Sequence, residues 1–210
     1  MNQQIRSLRE SDIHGVAEAH CRIFPTSRST LLGEGYVRKM FQWFLEKQPD
    51  LSFVCEYNGE IVGYVVGAIG GYGRKLFRYA FMDVVLGLLL HPKLWFKRDT
   101  YNLWSSYLKG LSPSTLIAER NVDAERTMGS RANRAALAGI GIVPSMRGRG
   151  ISKLLVQAFE QAARVQGVSS LGLSVEIDNV PARRLYETCG WRMDSMQAEL
   201  NSAHYSKELS

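Results

Sequence analysis

The chain has 210 residues, 45% of them apolar and 22% charged, enough for one good core and short of two. Its net charge of +6 points to an anionic partner, whether nucleic acid, an acidic membrane surface or a phosphorylated small molecule, although plain solubility accounts for it equally well. Three widely spaced cysteines, Cys21, Cys55 and Cys189, exclude a disulfide scaffold and a cysteine metal cluster, and fit a reducing, cytoplasmic compartment.

Residues 1–6 carry no apolar core of the kind a secretory signal needs. Residues 5–8 read as a first strand. Asp12 is placed to cap a helix whose apolar positions Ile13, Val16, Ala17 and Cys21 follow at helical spacing, and Pro25 ends it. Residues 26–32 read as a polar loop. A second helix is expected over 33–47, with Tyr36, Val37, Met40, Phe41 and Phe44 on its buried side. Strands at 51–57 and 61–69 flank Asn58-Gly59, the strongest hairpin signal in the chain. Gly70-Gly71-Tyr72-Gly73 breaks the second strand.

Residues 74–110 are dense in aromatic, aliphatic and basic side chains and read as two helices broken at His91-Pro92. The most apolar window, 79–90, contains Asp83 and is too short to span a bilayer. Residues 112–134 have weak periodicity and read as a loop. Strands follow at 137–143 and 171–177, separated by a helix at 149–166. A short helix at 181–189 has Pro181 in its first turn. Segments 191–193 and 203–209 can pair as closing strands. The whole reads as a single α+β domain over 1–210, with a helical insertion at about 74–110.

The most informative stretch is Ile142-Val143-Pro144-Ser145-Met146-Arg147-Gly148-Arg149-Gly150-Ile151-Ser152. An apolar strand stops at proline, passes two close glycines and opens into an amphipathic helix. That layout aims backbone N–H groups and the positive end of a helix dipole at one point, which attracts phosphate. It is not a dinucleotide fingerprint, because Lys153 stands where the third glycine belongs, and it lacks the spacing of a Walker loop. A glycine-rich turn without a ligand is the bland alternative for this segment taken by itself. After the next helix and strand comes a second series: Asn179, Ala182, Tyr186, Gly190 and Trp191.

Together the two segments resemble the GNAT superfamily of acyl-CoA-dependent N-acyltransferases. Arg147 opens the first pattern and Gly150 fills its central glycine; Ser152 replaces the usual Gly or Ala. The likeness covers 137–193. It implies a mixed, mostly antiparallel central sheet flanked by helices, and acetyl-CoA as co-substrate with no metal. It also implies that Arg147, Gly148, Arg149, Gly150, Ile151 and Ser152 hold the cofactor's pyrophosphate. Gly141, Ile142 and Val143 would pair with the pantetheine arm, and Asn179 would touch that arm.

Tyr186 inherits the role of general acid toward the departing thiolate, a core tyrosine being the alternative. A protonated amine cannot attack a thioester, so a base is also required. Relatives often place a glutamate early in the strand before the glycine turn, but Ala135-Ala136-Leu137-Ala138 has no ionisable side chain. Glu176 is the best remaining carboxylate, with a strand-end ion pair as its structural alternative. The four histidines show no ligand or triad spacing, and only His20 lies near the expected acceptor loop.

The resemblance implies an acceptor between the loop at 24–33 and the turn near 195–202. A looser likeness of residues 20–25 and 32–33 to acyltransferase-like proteins of surface-polysaccharide synthesis makes an amino sugar the first expectation. A small amine or an amino acid derivative comes next. The basic residues of 74–110 suggest peripheral contact with an anionic membrane; a lid or a dimer contact is the alternative. A non-catalytic acyl-CoA sensor or scaffold competes with the enzyme, and no motif supports nucleic-acid binding.

Overall fold

The computed structural model describes residues 3–90 and 133–209. Its strands are β1 (Gln3–Ser7), β2 (Ser52–Tyr57), β3 (Glu60–Ile69), β4 (Arg134–Ile142), β5 (Ser170–Glu176), β6 (Arg192–Gln197) and β7 (Ser202–Glu208). They form one sheet in the order β1-β2-β3-β4-β5-β7-β6. Only β4 and β5 run parallel; every other neighbouring pair is antiparallel. The helices are α1 (Ile13–Ile23), α2 (Arg28–Leu31), α3 (Glu34–Lys47), α4 (Gly73–Tyr79), α5 (Phe81–Leu90), α6 (Ile151–Val165) and α7 (Val180–Thr188). This is the expected α+β class with a mixed, mostly antiparallel sheet between helices.

Helices α1 and α3 cover one face of the sheet. Val16 and Ala17 of α1 and Val37, Phe41 and Phe44 of α3 are buried there. Helix α6 covers the other face with Leu155, Val156, Phe159 and Ala163, the i, i+1, i+4, i+8 stripe of an amphipathic helix. The contact is close enough to require glycine beneath it: a Cβ on Gly67 of β3 would lie 2.2 Å from the Phe159 ring. Truncating Phe159 to alanine would therefore cost about 3–5 kcal/mol. The crossover from β4 through α6 to β5 makes the parallel pair, which is why α6 ends up over the sheet's centre.

Five details differ from the sequence reading. Asp12 does not cap α1 forward; its carboxylate turns back to accept the Arg9 N–H at 2.9 Å and to pair with the Arg6 guanidinium at 2.6 Å. The loop at 26–32 contains α2, capped by Ser27 Oγ accepting the Thr30 N–H. The first helix of 74–110 is two helices, because α4 ends at Tyr79, with Ala80 as its cap, and α5 begins at Phe81. Strand β4 starts at Arg134, three residues earlier than expected, because Arg134 to Ala136 pair with β5. Helix α6 starts at Ile151, since Gly150 has a left-handed φ of 76°. The break at His91-Pro92, the second insertion helix and most of the loop at 112–134 lie outside the described residues. The closing strands do pair, and β7 inserts between β5 and β6.

Candidate active site

The parallel pair of β4 and β5 is short. Its register runs Arg134 with Ser170, Ala135 with Leu171 and Ala136 with Gly172, and stops there. On the other side β4 stays paired with β3 as far as Ile142. Its register slips at Val66/Gly67, which leaves Ala138 as an extra, bulged residue. Beyond Ala136 the two strands therefore part, and a wedge opens between them.

Main-chain direction alternates along an antiparallel strand. The Val143 N–H donates to the Val62 carbonyl at 2.9 Å, and Gly141 stands opposite Tyr64. The intervening residues Ile140 and Ile142 thus present their N–H and C=O groups to the wedge. Of the trio Gly141, Ile142 and Val143, only Ile142 does so. Its carbonyl accepts Arg147 Nε at 3.3 Å.

After β4 the chain makes one tight turn over Pro144–Met146 and reaches Gly148 and Gly150, with φ of 77° and 76°. Glycine is needed at both because a left-handed φ strains any residue with a Cβ. The Arg147 N–H returns to the Pro144 carbonyl at 3.3 Å. Among the described residues, the N–H groups of 148–153 have no acceptor. No acidic side chain lies in the first turn of α6, and no side chain caps it. The positive end of α6 and a set of free donors thus share one corner of the wedge, which suits an anion. Ile151 is buried and contributes only main chain. Arg149 lies over the Tyr57 ring at 5.9 Å.

On α7, Asn179 Oδ1 accepts the Ala182 N–H at 3.2 Å, so its carbonyl caps the helix while its amide nitrogen has no partner among the described residues. Tyr186 packs at a tilt against Trp191 and Tyr205, at ring distances of 5.9 and 6.2 Å. Trp191 is fixed in turn by Glu160, which accepts its indole N–H at 2.8 Å and pairs with Lys207 at 2.7 Å. Burial, assisted by the nearby Cys189, pushes the Tyr186 phenol up to about 12. The hydroxyl makes no hydrogen bond among the described residues, yet it is not sealed from solvent.

Glu176 is exposed on β5, opposite Ser202. His20 is buried beneath the segment at 24–33, with Nδ1 2.6 Å from Tyr64 Oη and Nε2 2.7 Å from Ser29 Oγ. Burial lowers it to about 4, so the imidazole is neutral and its ring ties α1 to α2 and β3. The sequence reading passed over Ser174 and His204. They are 30 residues apart, and only strand alternation combined with the β5–β7 register would bring them together.

A family model described as the acetyltransferase (GNAT) family matches residues 14–191. Over 52 residues the chain is 40% identical to YycN, an uncharacterized N-acetyltransferase of Bacillus subtilis; the match covers 25% of this chain and 33% of that protein. The chain thus spans about a third of the length of this curated relative. Among solved structures it resembles yncA of Salmonella typhimurium, crystallised with its cofactor acetyl-CoA (TM-score 0.62, 11% identity, covering 99% of this chain and 94% of that one). It also resembles the ribosomal-protein-S18-alanine N-acetyltransferase of Escherichia coli (TM-score 0.56, 14% identity, covering 100% and 95%). Identities this low speak to the fold alone.

Proposed function

The chain belongs to the GNAT acetyltransferase family, and from that premise we propose that it moves an acetyl group from acetyl-CoA to a primary amine by direct attack. The observation that carries this reading is the β4–β5 wedge ending at a turn whose N–H groups, 148–153, are without acceptors among the described residues. The pyrophosphate takes those donors, with Arg147, Arg149 and Ser152 around it. The pantetheine arm lies along the main chain of Ile140 and Ile142, as a further strand would, with the Asn179 amide nitrogen beside it. Tyr186 gives its proton to the thiolate as the C–S bond breaks; its upward-shifted phenol is fully protonated at neutral pH.

For the acceptor we favour an amino sugar, with a small amine or an amino acid derivative next. The polar, open face of β5 and β7 suits a hydroxyl-rich or charged amine. Contact of 74–110 with an anionic membrane belongs to the same proposal, as access to a lipid-carried acceptor. Its support is the basic surface of α4, Arg74, Lys75 and Arg78. Among the described residues no helix is long and apolar enough to cross a membrane. Liposome flotation that is independent of anionic lipid would remove that part.

A second reading, acyl-CoA binding without turnover, is favoured by the absence of an ionisable side chain at 135–138. Calorimetric titration with CoA, followed by thiol release from acetyl-CoA with a panel of amines, separates the readings. Binding with turnover supports the enzyme, binding alone supports the second reading, and no binding removes both.

A further inference from the structure

Residues Gly172, Ser174 and Glu176 of β5 lie on the same face of the sheet as α1. This follows from the ladder: Gly141 backs onto Ile23 and Phe24 of the α1 region, and the register carries that face through Ala136 to Gly172. Ser174 is the next residue on this face beyond the last β4–β5 pair, at the level where the wedge opens. Directly across on β7 stands His204, its Nδ1 2.8 Å from Ser174 Oγ. The ring is half-buried, and its Nε2 has no partner among the described residues.

We propose that His204, held by Ser174, is the group that accepts the proton of the acceptor amine. This rests on the acetyltransferase reading above and deepens it by naming the base that the alanine stretch 135–138 does not supply. In the productive tautomer Nδ1–H donates to Ser174 Oγ, which leaves the Nε2 lone pair free to accept a proton on the face of the sheet that Ser174 shares. The substrate ammonium gives one proton to Nε2, and its freed electron pair forms the C–N bond at the thioester carbonyl. The C–S bond then breaks and the thiolate takes the Tyr186 proton. The second nitrogen proton restores the phenol through solvent, so the turnover releases one proton, passed out by His204.

The position favours His204 over Glu176, which is two pairs further from the closed end of the wedge, opposite Ser202, and is exposed. Other charges face the same surface. Arg134 packs its guanidinium over Gly172, where a Cβ would lie 2.5 Å from Nη2. Asp194 accepts the Ser206 hydroxyl at 2.6 Å. By register Arg192 and Glu208 lie at the far edge of the same face.

The test follows thiol release from acetyl-CoA across a wide pH range, with glucosamine, glycinamide and benzylamine as acceptors. Calorimetry with CoA is run on every variant. His204→Ala should lower kcat/KM roughly 10²- to 10⁴-fold, abolish the acid limb of the pH profile, leave CoA binding intact and recover rate when free imidazole is added. Ser174→Ala should lower the rate less and keep the acid limb. A His204→Ala variant that retains the wild-type acid limb, or loses rate without imidazole rescue while Glu176→Gln removes the limb, overturns the proposal and leaves the acetyltransferase reading standing. Failure of the wild type to bind CoA overturns both.

Discussion

Glu160 is the buried charge on which the geometry around Tyr186 depends. Its side chain is almost wholly buried, one oxygen accepting Trp191 Nε1 at 2.8 Å and the other pairing with Lys207 at 2.7 Å. Lys207 also donates to the Cys189 carbonyl at 2.6 Å. Glu160→Gln keeps an acceptor for the indole but leaves the largely buried ammonium without a counter-charge. Breaking a buried pair from one side costs about 3–5 kcal/mol, and a chain of this size loses roughly 2–4 °C of Tm per kcal/mol. The expected drop is thus roughly 6–20 °C, with a matching fall in the urea midpoint. Lys207→Met on top of Glu160→Gln removes the orphaned charge and should restore at least half of the loss. The cycle of the two single variants and the double should show a coupling of about 2 kcal/mol or more. A Glu160→Gln variant within about 1 kcal/mol of wild type, or a double variant equal to the sum of the singles, would refute the reasoning.

Three further outcomes follow from the same geometry. His20, lowered to about 4 by burial, is neutral when folded, so between its ordinary 6.5 and 4 the unfolded chain binds more protons. Stability is therefore full above 6.5 and falls by about 3 kcal/mol as pH drops through that window; urea midpoints against pH should lose this limb in His20→Gln, and an unchanged limb contradicts it. Gly150→Ala meets no atom within 4 Å but keeps φ at 76°, so it should lose about 1–2 kcal/mol of stability. Gly71→Ala, equally unobstructed and without a left-handed φ, is the control, and parity of the two rules out the strained turn. Tyr186→Phe should cut thiol release roughly 10²-fold or more while calorimetry finds CoA binding preserved; equal rates would remove the tyrosine from the proton path.

What the sequence disclosed divides according to how local each cause is. The Asn58-Gly59 hairpin, the stop of α1 before Pro25 and the stripe of α6 follow from nearest-neighbour chemistry, and each stands where the pattern placed it. Boundaries failed where a distant partner decided them. Strand β4 begins at Arg134 because β5 pairs with it there, and Asp12 turns back because Arg6, on β1, competes for its carboxylate. The cluster of N–H groups at the head of α6 was legible because a single segment supplies the glycines, the N–H groups without acceptors among the described residues, and the helix end. The wedge was not, since it arises from where one ladder stops, a property of two strands and the helix between them. Ser174 and His204 meet for the same reason: β7 inserts between β5 and β6, and no spacing within either strand announces that order. The side proposed for the cofactor is thus written in consecutive residues, whereas the side proposed for the acceptor is written in topology. A search for the base along the chain turns to the nearest carboxylate, Glu176; the fold puts an imidazole across the ladder from Ser174, nearer the point where the strands part.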